Sequence, residues 1–249
     1  MEDIVISANS NTSTPGGMLL TILVCAVVAF LLVQRSRKKK GKAPIRLSRY
    51  IRKLFRKEKK SIGRWYGNYE KLITVDAFKK ISGKSYVVFD LETTGLDADL
   101  DRIIEIGAVR VSRGRLSNET FQQLVNPGCR IPAEASNANH ITNEMVDGMP
   151  NIRPVLADFL AFVNGDLLVA HNGGFDACFL DNACSRCGYQ APSKYFDTMR
   201  LSVYWAGLKN RKLATMLEVA GIENEQAHRA LSDAVATAKL CIKSMEKIK

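Results

Sequence analysis

VVFDLETTGL, residues 87–96, contains the two acidic residues from which the rest of this 249-residue sequence can be interpreted. It lies in a β-branched and aromatic run, Ser85 to Asp90, of the kind typical of a short strand. Asp90 and Glu92 are two residues apart at the end of this run. The period-two alternation of a strand therefore puts both side chains on the same face. The stretch predicts a strand that presents two carboxylates at its carboxyl end.

The sequence on either side alternates between strand and helix patterns. Further strands are predicted at 102–112, 119–125, 166–170 and 195–197, and helices at 142–147, 152–163, 175–187, 198–206, 211–220 and 229–247. We find no internal repeat and no glycine-rich phosphate loop in the sequence. This order of elements predicts an α/β fold in which helices sandwich one mixed five-stranded sheet.

Two later motifs carry further candidate residues. VAHNGGFDACFL, residues 169–180, puts Asp176 just after a predicted strand, and HRALSDA, residues 228–234, puts His228 and Asp233 at the start of the last helix. Sites in α/β domains form at strand ends and at the adjoining helix N-termini. We therefore expect the four acidic residues and the histidine to converge.

This set of groups suits hydrolysis of a phosphodiester by two metal ions. Such ions lie about 3.5 to 4 Å apart, where one activates the attacking water and the other stabilises the leaving oxygen. Mg²⁺ prefers oxygen ligands, and a histidine can take the proton from the water. Each motif alone also fits a structural role, such as a helix N-cap at Asp176 or a surface histidine at His228. Their joint occurrence favours a metal-dependent nuclease.

Five motifs resemble those of the DEDDh group of 3′-to-5′ exonucleases, most nearly the proofreading epsilon subunit of bacterial DNA polymerase III. They are FDLETTGL, IIEIGAV, HITNEMVDGMP, VAHNGGFD and HRALSDA, and the resemblance covers about residues 84–245. The histidine of HxxxxD, where a sister group has a tyrosine in YxxxD, selects the h subgroup. The resemblance implies a ribonuclease H-like three-layer sandwich and two Mg²⁺ or Mn²⁺ ions.

The resemblance also implies roles for individual residues. The implied metal ligands are Asp90, Glu92, Asp176 and Asp233, and the implied general base is His228. The residues implied to line the pocket for the 3′-terminal nucleotide are Thr93, Thr94, Gly95 and Leu96. His140 and Ile141 are implied to lie beside this pocket, and Asn172 and Phe175 near the scissile end. The sequence departs from the family pattern at residues 139–142, where NHIT stands in place of the usual HGI.

A second region of interest is apolar and lies near the N-terminus. Residues 18–33, MLLTILVCAVVAFLLV, contain no charged residue and would form roughly 24 Å of helix, against a hydrocarbon core of roughly 30 Å. A cleaved signal peptide would have basic residues before this stretch, but here acids precede it and bases follow it. A core helix would show a polar face. We predict a short polar tail, residues 1–17, and one transmembrane helix over residues 18–34.

The positive charge of the chain is confined to the segment that follows. Residues 35–60 contain fourteen Lys or Arg and one acid, whereas residues 61–249 contain twenty-two of each sign. The positive-inside rule then places the N-terminus outside and the remainder in the cytoplasm. We predict a basic juxtamembrane linker over 35–83, which attracts anionic lipid, and a cytoplasmic exonuclease domain over 84–249. Binding of nucleic acid by the basic segment is the alternative.

The cysteines carry one further alternative. Cys184 and Cys187 form a CxxC, but a zinc site needs two more ligands and only Cys178 is near. We predict that these cysteines pack in the core of a protein of a reducing compartment.

Taken together, the sequence predicts a single-pass protein of an inner or plasma membrane that releases nucleoside monophosphates from the 3′ end of nucleic acid, with DNA favoured. The competing hypothesis is a membrane-anchored protein that only grips a 3′ end. We identify no polymerase segment in the sequence, so a proofreading role would need a polymerase as partner.

Overall fold

The computed structural model describes residues 69–248. The predicted span at 18–34 and most of the predicted linker lie outside the described residues. Within residues 69–248, no helix has the length and apolar character that a membrane crossing requires.

The described residues form a five-stranded sheet with helices on both faces. Its strands are β1 (Ser85–Thr93), β2 (Ile103–Ser112), β3 (Arg115–Leu124), β4 (Leu167–Ala170) and β5 (Tyr195–Asp197). The helices are α1 (Val75–Lys79), α2 (Ala133–Asn139), α3 (Asn143–Val146), α4 (Ile152–Val163), α5 (Gly173–Cys187), α6 (Leu213–Ala220) and α7 (Ala230–Ile248), with a 3₁₀ helix at Thr198–Tyr204. The strand order is β3-β2-β1-β4-β5. Because β1 runs antiparallel to β2 and parallel to β4, the sheet is mixed, as predicted.

The two faces of β1 pack against different helices. Tyr86 and Val88 belong to the core cluster that includes residues of α7, whereas the Phe89 ring lies 5.9 Å from that of Phe159 on α4. The strand alternation continues to its end. Asp90 and Glu92 therefore lie on the α7 side of the sheet.

The start of α7 is held tightly against β2. Glu105 of β2 is fully buried and accepts hydrogen bonds from Arg229 Nη2 at 2.7 Å and from the backbone N–H of Ala230 at 3.1 Å. Two residues along the same strand face, Gly107 has no room for a side chain, because a Cβ there would lie 2.0 Å from the backbone nitrogen of Leu231. Gly107 is also the cross-strand partner of Asp90. The first turn of α7 thus lies directly over the acidic end of β1.

Most predicted elements are confirmed, with three differences. β3 begins at Arg115 rather than at residue 119, because Arg113 and Gly114 adopt positive φ angles of 53° and 72° and close a tight hairpin. The segment predicted as a helix over 198–206 is a 3₁₀ helix that ends at Tyr204. Helix α2, AEASNAN, was not predicted, since it lacks an apolar periodicity.

The folded domain also extends upstream of residue 84, its predicted start. Residues 69–83 lie on the domain: the Ile73 N–H donates to the Tyr195 carbonyl at 2.8 Å, and Phe78 is fully buried. This segment was not predicted to belong to the domain, because it contains only a few apolar residues and these follow a strongly basic run. Tyr195, with which the segment pairs, lies too far along the chain for the pairing to be recognised from a local pattern.

The cysteines of α5 behave as predicted. Cys178, Cys184 and Cys187 are unpaired and buried. Burial raises the pKa of Cys178 to about 12 and that of Cys184 to about 11. In the described part of the chain, no group of cysteines is arranged to bind a metal ion.

Gly107→Ala is expected to destabilise the domain, because the added Cβ must displace the first turn of α7. We expect the free energy of unfolding to fall by about 1 to 3 kcal/mol and metal binding to weaken. Chemical denaturation measures the first and calorimetric titration with Mn²⁺ the second. Gly83→Ala is the matched control, since a Cβ there meets no atom within 4 Å. Equal stability of the two variants would contradict the proposed close packing.

Candidate active site

Three of the predicted carboxylates converge. Asp90 and Glu92 from β1 and Asp233 from α7 each place an oxygen so that the three atoms lie within 4.8 Å of one another. Asp90 and Glu92 are partly exposed and Asp233 is 9 % exposed, so ions and substrate can reach the group from the side of β1. Strand alternation supplies the first two residues and the anchored helix supplies the third. Oxygen atoms at this separation can share a divalent cation.

The fourth predicted carboxylate, Asp176, lies beside this group but is oriented differently. It lies in the first turn of α5, is 3 % exposed and accepts a hydrogen bond from the Leu91 N–H at 3.2 Å. Gly173 lets α5 begin close to β5, since a Cβ there would lie 3.1 Å from the Phe196 carbonyl oxygen. Asp176 is close enough to raise the pKa of Asp90.

The carboxylates strongly disfavour one another's ionisation. Burial and then the charges of Asp176, Glu92 and Asp233 raise the pKa of Asp90 well above its ordinary value. Burial and the charge of Asp233 raise the pKa of Glu92 to about 8. Burial likewise raises the pKa values of Asp176 and Asp233. Such a set is stabilised by protons or by cations, and an all-carboxylate donor set suits Mg²⁺ or Mn²⁺.

His228 lies at the exposed rim of the group, in the loop before α7. Its backbone adopts a left-handed conformation with φ 66°, and its N–H donates to one oxygen of Asp233 at 3.1 Å. The Asn224 amide donates to the other oxygen of Asp233 at 2.5 Å. Both oxygens of the carboxylate are therefore fixed by the loop that carries the histidine.

The residues after β1 form a loop whose polar side chains hydrogen-bond to other groups of the same loop. Thr93 Oγ1 donates to the Gly95 carbonyl at 2.5 Å, and Thr94 Oγ1 donates to Asp101 at 3.1 Å. Gly95 packs on the Asp101 carboxylate, where a Cβ would lie 2.3 Å from an oxygen. Leu96, in contrast, is 50 % exposed. Of the predicted pocket residues in this loop, Leu96 presents the most open surface to a nucleotide.

At NHIT, the structure places Asn139 rather than His140 against the carboxylates. Asn139 is 3 % exposed and its amide lies 3.4 Å from the Thr93 carbonyl. Its side chain is near enough to Glu92 to lower the pKa of that carboxyl, against the larger raising effect of burial. His140 is exposed and has a φ of 60° at the end of α2. Ile141 is buried. His140, which has the left-handed backbone, thus follows Asn139, which faces the site. The sequence signals this arrangement only by lacking the glycine of HGI.

The two predicted residues of the α5 motif shape the entrance to that helix. Asn172 adopts a left-handed conformation with φ 60°, and its carbonyl accepts the N–H of Phe175 at 2.9 Å. The Phe175 ring lies 4.7 Å from that of Phe179 and is partly exposed.

Sequence reasoning missed His171, which precedes this helix. Its Nε2 lies 2.8 Å from the Arg211 carbonyl and its Nδ1 lies 2.9 Å from Thr198 Oγ1. Because a carbonyl only accepts, Nε2 carries the proton and Nδ1 accepts from the hydroxyl. Burial lowers the pKa of His171, while its electrostatic partners include Asp233. The residue links the site to the segment before α6. No local pattern could have shown this, because the bond joins residues forty positions apart.

The fold and this carboxylate site define the class: a ribonuclease H-like domain with the acidic residues and the histidine of the DEDDh group of exonucleases. The model of the RNase T exonuclease family matches residues 87–241. The chain belongs to this family.

Several bacterial proteins are similar to the chain. It is 38% identical over 178 residues to the PolC-type DNA polymerase III of Caldanaerobacter subterraneus, a match that covers 71% of this chain and 13% of that protein. The corresponding protein of Clostridium perfringens is 38% identical over 178 residues, which is 71% of this chain and 12% of that protein. The chain thus spans only about an eighth of the length of these relatives.

Two solved structures show the same fold. Exonuclease I of E. coli in complex with a dT13 oligonucleotide has a TM-score of 0.57 and 20% identity, over 64% of this chain and 40% of that one. Exonuclease X in complex with 5′ overhanging duplex DNA has a TM-score of 0.53 and 27% identity, over 65% of this chain and 91% of that one.

The metal-free protein is expected to lose stability as the pH rises from about 6.5 to about 8. Over this window the folded chain retains a proton on Glu92, whose pKa is raised to about 8, whereas the unfolded chain has already released it. The folded state binds more protons, so stability falls with increasing pH. His171, whose pKa is lowered by burial, opposes this trend only in the lower part of the window, because the unfolded chain, where its pKa is about 6.5, is largely neutral at that residue above about pH 7.5. Thermal unfolding in EDTA should show a falling Tm, and excess Mg²⁺ should remove most of the slope.

Glu92→Gln tests the origin of this slope. The variant should flatten the dependence of Tm on pH in EDTA, whereas Glu218→Gln, an exposed residue of α6, should leave it as in the unmodified chain. A slope that persists in Glu92→Gln and in excess Mg²⁺ would show that the carboxylate group is not its cause.

Proposed function

We propose that this chain is a metal-dependent 3′-to-5′ exonuclease that removes nucleoside monophosphates from the 3′ end of DNA. The observation that carries the proposal is the approach of the Asp90, Glu92 and Asp233 oxygens to within 4.8 Å of one another, at the rim of which His228 is exposed. DNA is favoured over RNA because the polymerases to which the chain is similar are DNA polymerases.

Two Mg²⁺ or Mn²⁺ ions would be held by the four carboxylates. When bound, such ions activate a water molecule and stabilise the oxygen that leaves the phosphorus. The residues of the chain keep one ligand in place, since Asn224 and the His228 N–H fix Asp233, and Asn139 lowers the pKa of Glu92. The His228 side chain, exposed at the rim, accepts the proton of the attacking water.

The alternative function is binding of a 3′ end without cleavage. The retained acidic set argues against it, because a protein that only binds has no need of converging carboxylates that raise one another's pKa. Binding that is equal in EDTA and in Mg²⁺, with no cleavage in either, would favour this alternative.

We also propose that the chain is anchored by residues 18–34 in an inner or plasma membrane with its catalytic domain in the cytoplasm. The support is the uncharged stretch at 18–33 and the excess of fourteen basic residues over one acid in residues 35–60. A polymerase partner would follow if the chain serves proofreading.

Asp90→Asn in the full-length chain should abolish release of mononucleotides from 3′-labelled single-stranded DNA in Mg²⁺. His228→Asn should lower the rate by about 10² to 10⁴, the contribution of a general base. Asparagine is chosen at residue 228 because it tolerates the left-handed backbone observed there. The measurement is single-turnover digestion followed by electrophoresis, with RNA of the same sequence in parallel.

Asp158→Asn is the matched control, since Asp158 is an exposed acid on α4. It should cleave at the rate of the unmodified chain. Undiminished cleavage by Asp90→Asn would rule out the proposed site, and faster cleavage of the RNA would rule out DNA as the preferred substrate.

Val24→Arg with Val27→Arg should release the full-length protein from membranes, because an arginine near the centre of a bilayer costs about 2.5 to 3.5 kcal/mol. Extraction of membranes at alkaline pH, followed by immunoblotting, measures the change. The double variant Asn9→Arg with Asn11→Arg adds the same charge in the polar tail and should stay in the membrane fraction. Extraction of the unmodified chain into the soluble fraction would contradict the anchor.

A further inference from the structure

The segment between the 3₁₀ helix and α6 carries a cluster of exposed positive charge. Lys209, Arg211 and Lys212 are all exposed. Among the ion pairs of residues 69–248, none involves these three side chains. We call residues 209–212 the basic loop.

The basic loop is fixed to the active site through its backbone. The Arg211 carbonyl accepts the Nε2 proton of His171 at 2.8 Å, and the Asn210 side chain accepts the Lys212 N–H at 2.9 Å. His171 in turn is near enough to Asp233 for the two to interact electrostatically. The side chains of Lys209 and Arg211 take no part in these bonds and project from a segment whose backbone is held.

Other charges around the carboxylates do not offer the same attraction to a polyanion. Arg229 is paired with the buried Glu105, and the loop after β1 contributes three further acids, Asp97, Asp99 and Asp101. Residues 61–249 have no net charge. A strand that brings its 3′ end to a group of carboxylates therefore needs a local source of positive potential.

We propose that the basic loop binds the phosphates of the substrate strand just upstream of the 3′-terminal nucleotide. This proposal rests on the proposed exonuclease function and names the surface on which the rest of the strand lies. Lysine and arginine contacts to phosphates position a strand without reading its sequence. The loop would therefore set affinity for the polymer and leave the chemistry at the carboxylates unchanged.

The test compares two substrates of the full-length chain in neutral detergent and Mg²⁺. One is a single-stranded oligodeoxynucleotide. The other is the p-nitrophenyl ester of thymidine 5′-monophosphate, which offers a cleavable phosphodiester but no upstream phosphate. For Lys209→Glu with Arg211→Glu, the ratio of kcat/KM on the oligonucleotide to that on the ester should fall about tenfold or more, through a higher KM. The dependence of log KM on log salt should flatten by about 0.7 for each phosphate that the variant no longer binds.

The matched control is Arg113→Glu with Arg115→Glu. These residues are exposed and lie at the turn between β2 and β3, at the end of the sheet remote from Asp90. The control has the same change of net charge and the same basic N-terminal segment, so general electrostatic effects and binding by residues 35–60 affect both variants alike. Lys209→Gln with Arg211→Gln guards against misfolding and should give an intermediate fall in the ratio.

The outcomes separate the two proposals. A ratio and salt dependence in the loop variants equal to those of the control would overturn the role of the basic loop while leaving the exonuclease intact. If the unmodified chain cleaves neither substrate, the proposed function itself fails. A fall in the kcat/KM ratio that is confined to the loop variants supports both the role of the basic loop and the exonuclease function.

Discussion

The buried carboxylate of Glu105, which is not one of the proposed metal ligands, determines where the active site forms. Glu105 has no exposed surface, and an unpaired charge in such a position would be strongly destabilising. Although burial opposes its ionisation, hydrogen bonds from Arg229, Gln122 and Ala230 hold its pKa below the ordinary value. The charge is therefore retained and bound to the first turn of α7. Gly107 then lets that turn rest on the strand, and Asp233 is delivered to the acidic end of β1.

The site is an assembly of parts from both faces of the sheet. Asp90 and Glu92 point toward α7, while Asp176 comes from α5 and reaches β1 through the backbone of Leu91. If they were all ionised, the carboxylates would repel one another, so in the metal-free protein the packing of the surrounding core holds them together while they retain protons, until cations bind. This is why the pKa values of the group are raised and why metal binding and stability are coupled.

The elements and the convergence of Asp90, Glu92 and Asp233 could be predicted because their signals are local. The alternation in β1, the turn at Asn172 to Gly174 and the periodicity of α7 are each contained in a few consecutive residues. The supporting contacts could not be predicted in the same way. Glu105 and Arg229 are separated by 124 residues, and the bond between His171 and Arg211 depends on where two loops meet. Asn139 was missed because the more conspicuous histidine beside it occupies a backbone conformation that turns away from the site.

The docking of residues 69–83 has a consequence for how the domain behaves as an isolated fragment. β5 is the last strand of the sheet, and Leu72 pairs with Tyr195 along its outer side, while the Phe78 ring stacks on Phe196 at 4.0 Å. A chain cut at residue 84 would leave this strand with unpaired backbone groups and an uncovered aromatic surface. Unprotected strands of this kind recruit other chains into intermolecular sheets. The upstream segment thus acts as a cover against self-association, in addition to connecting the domain to what precedes it.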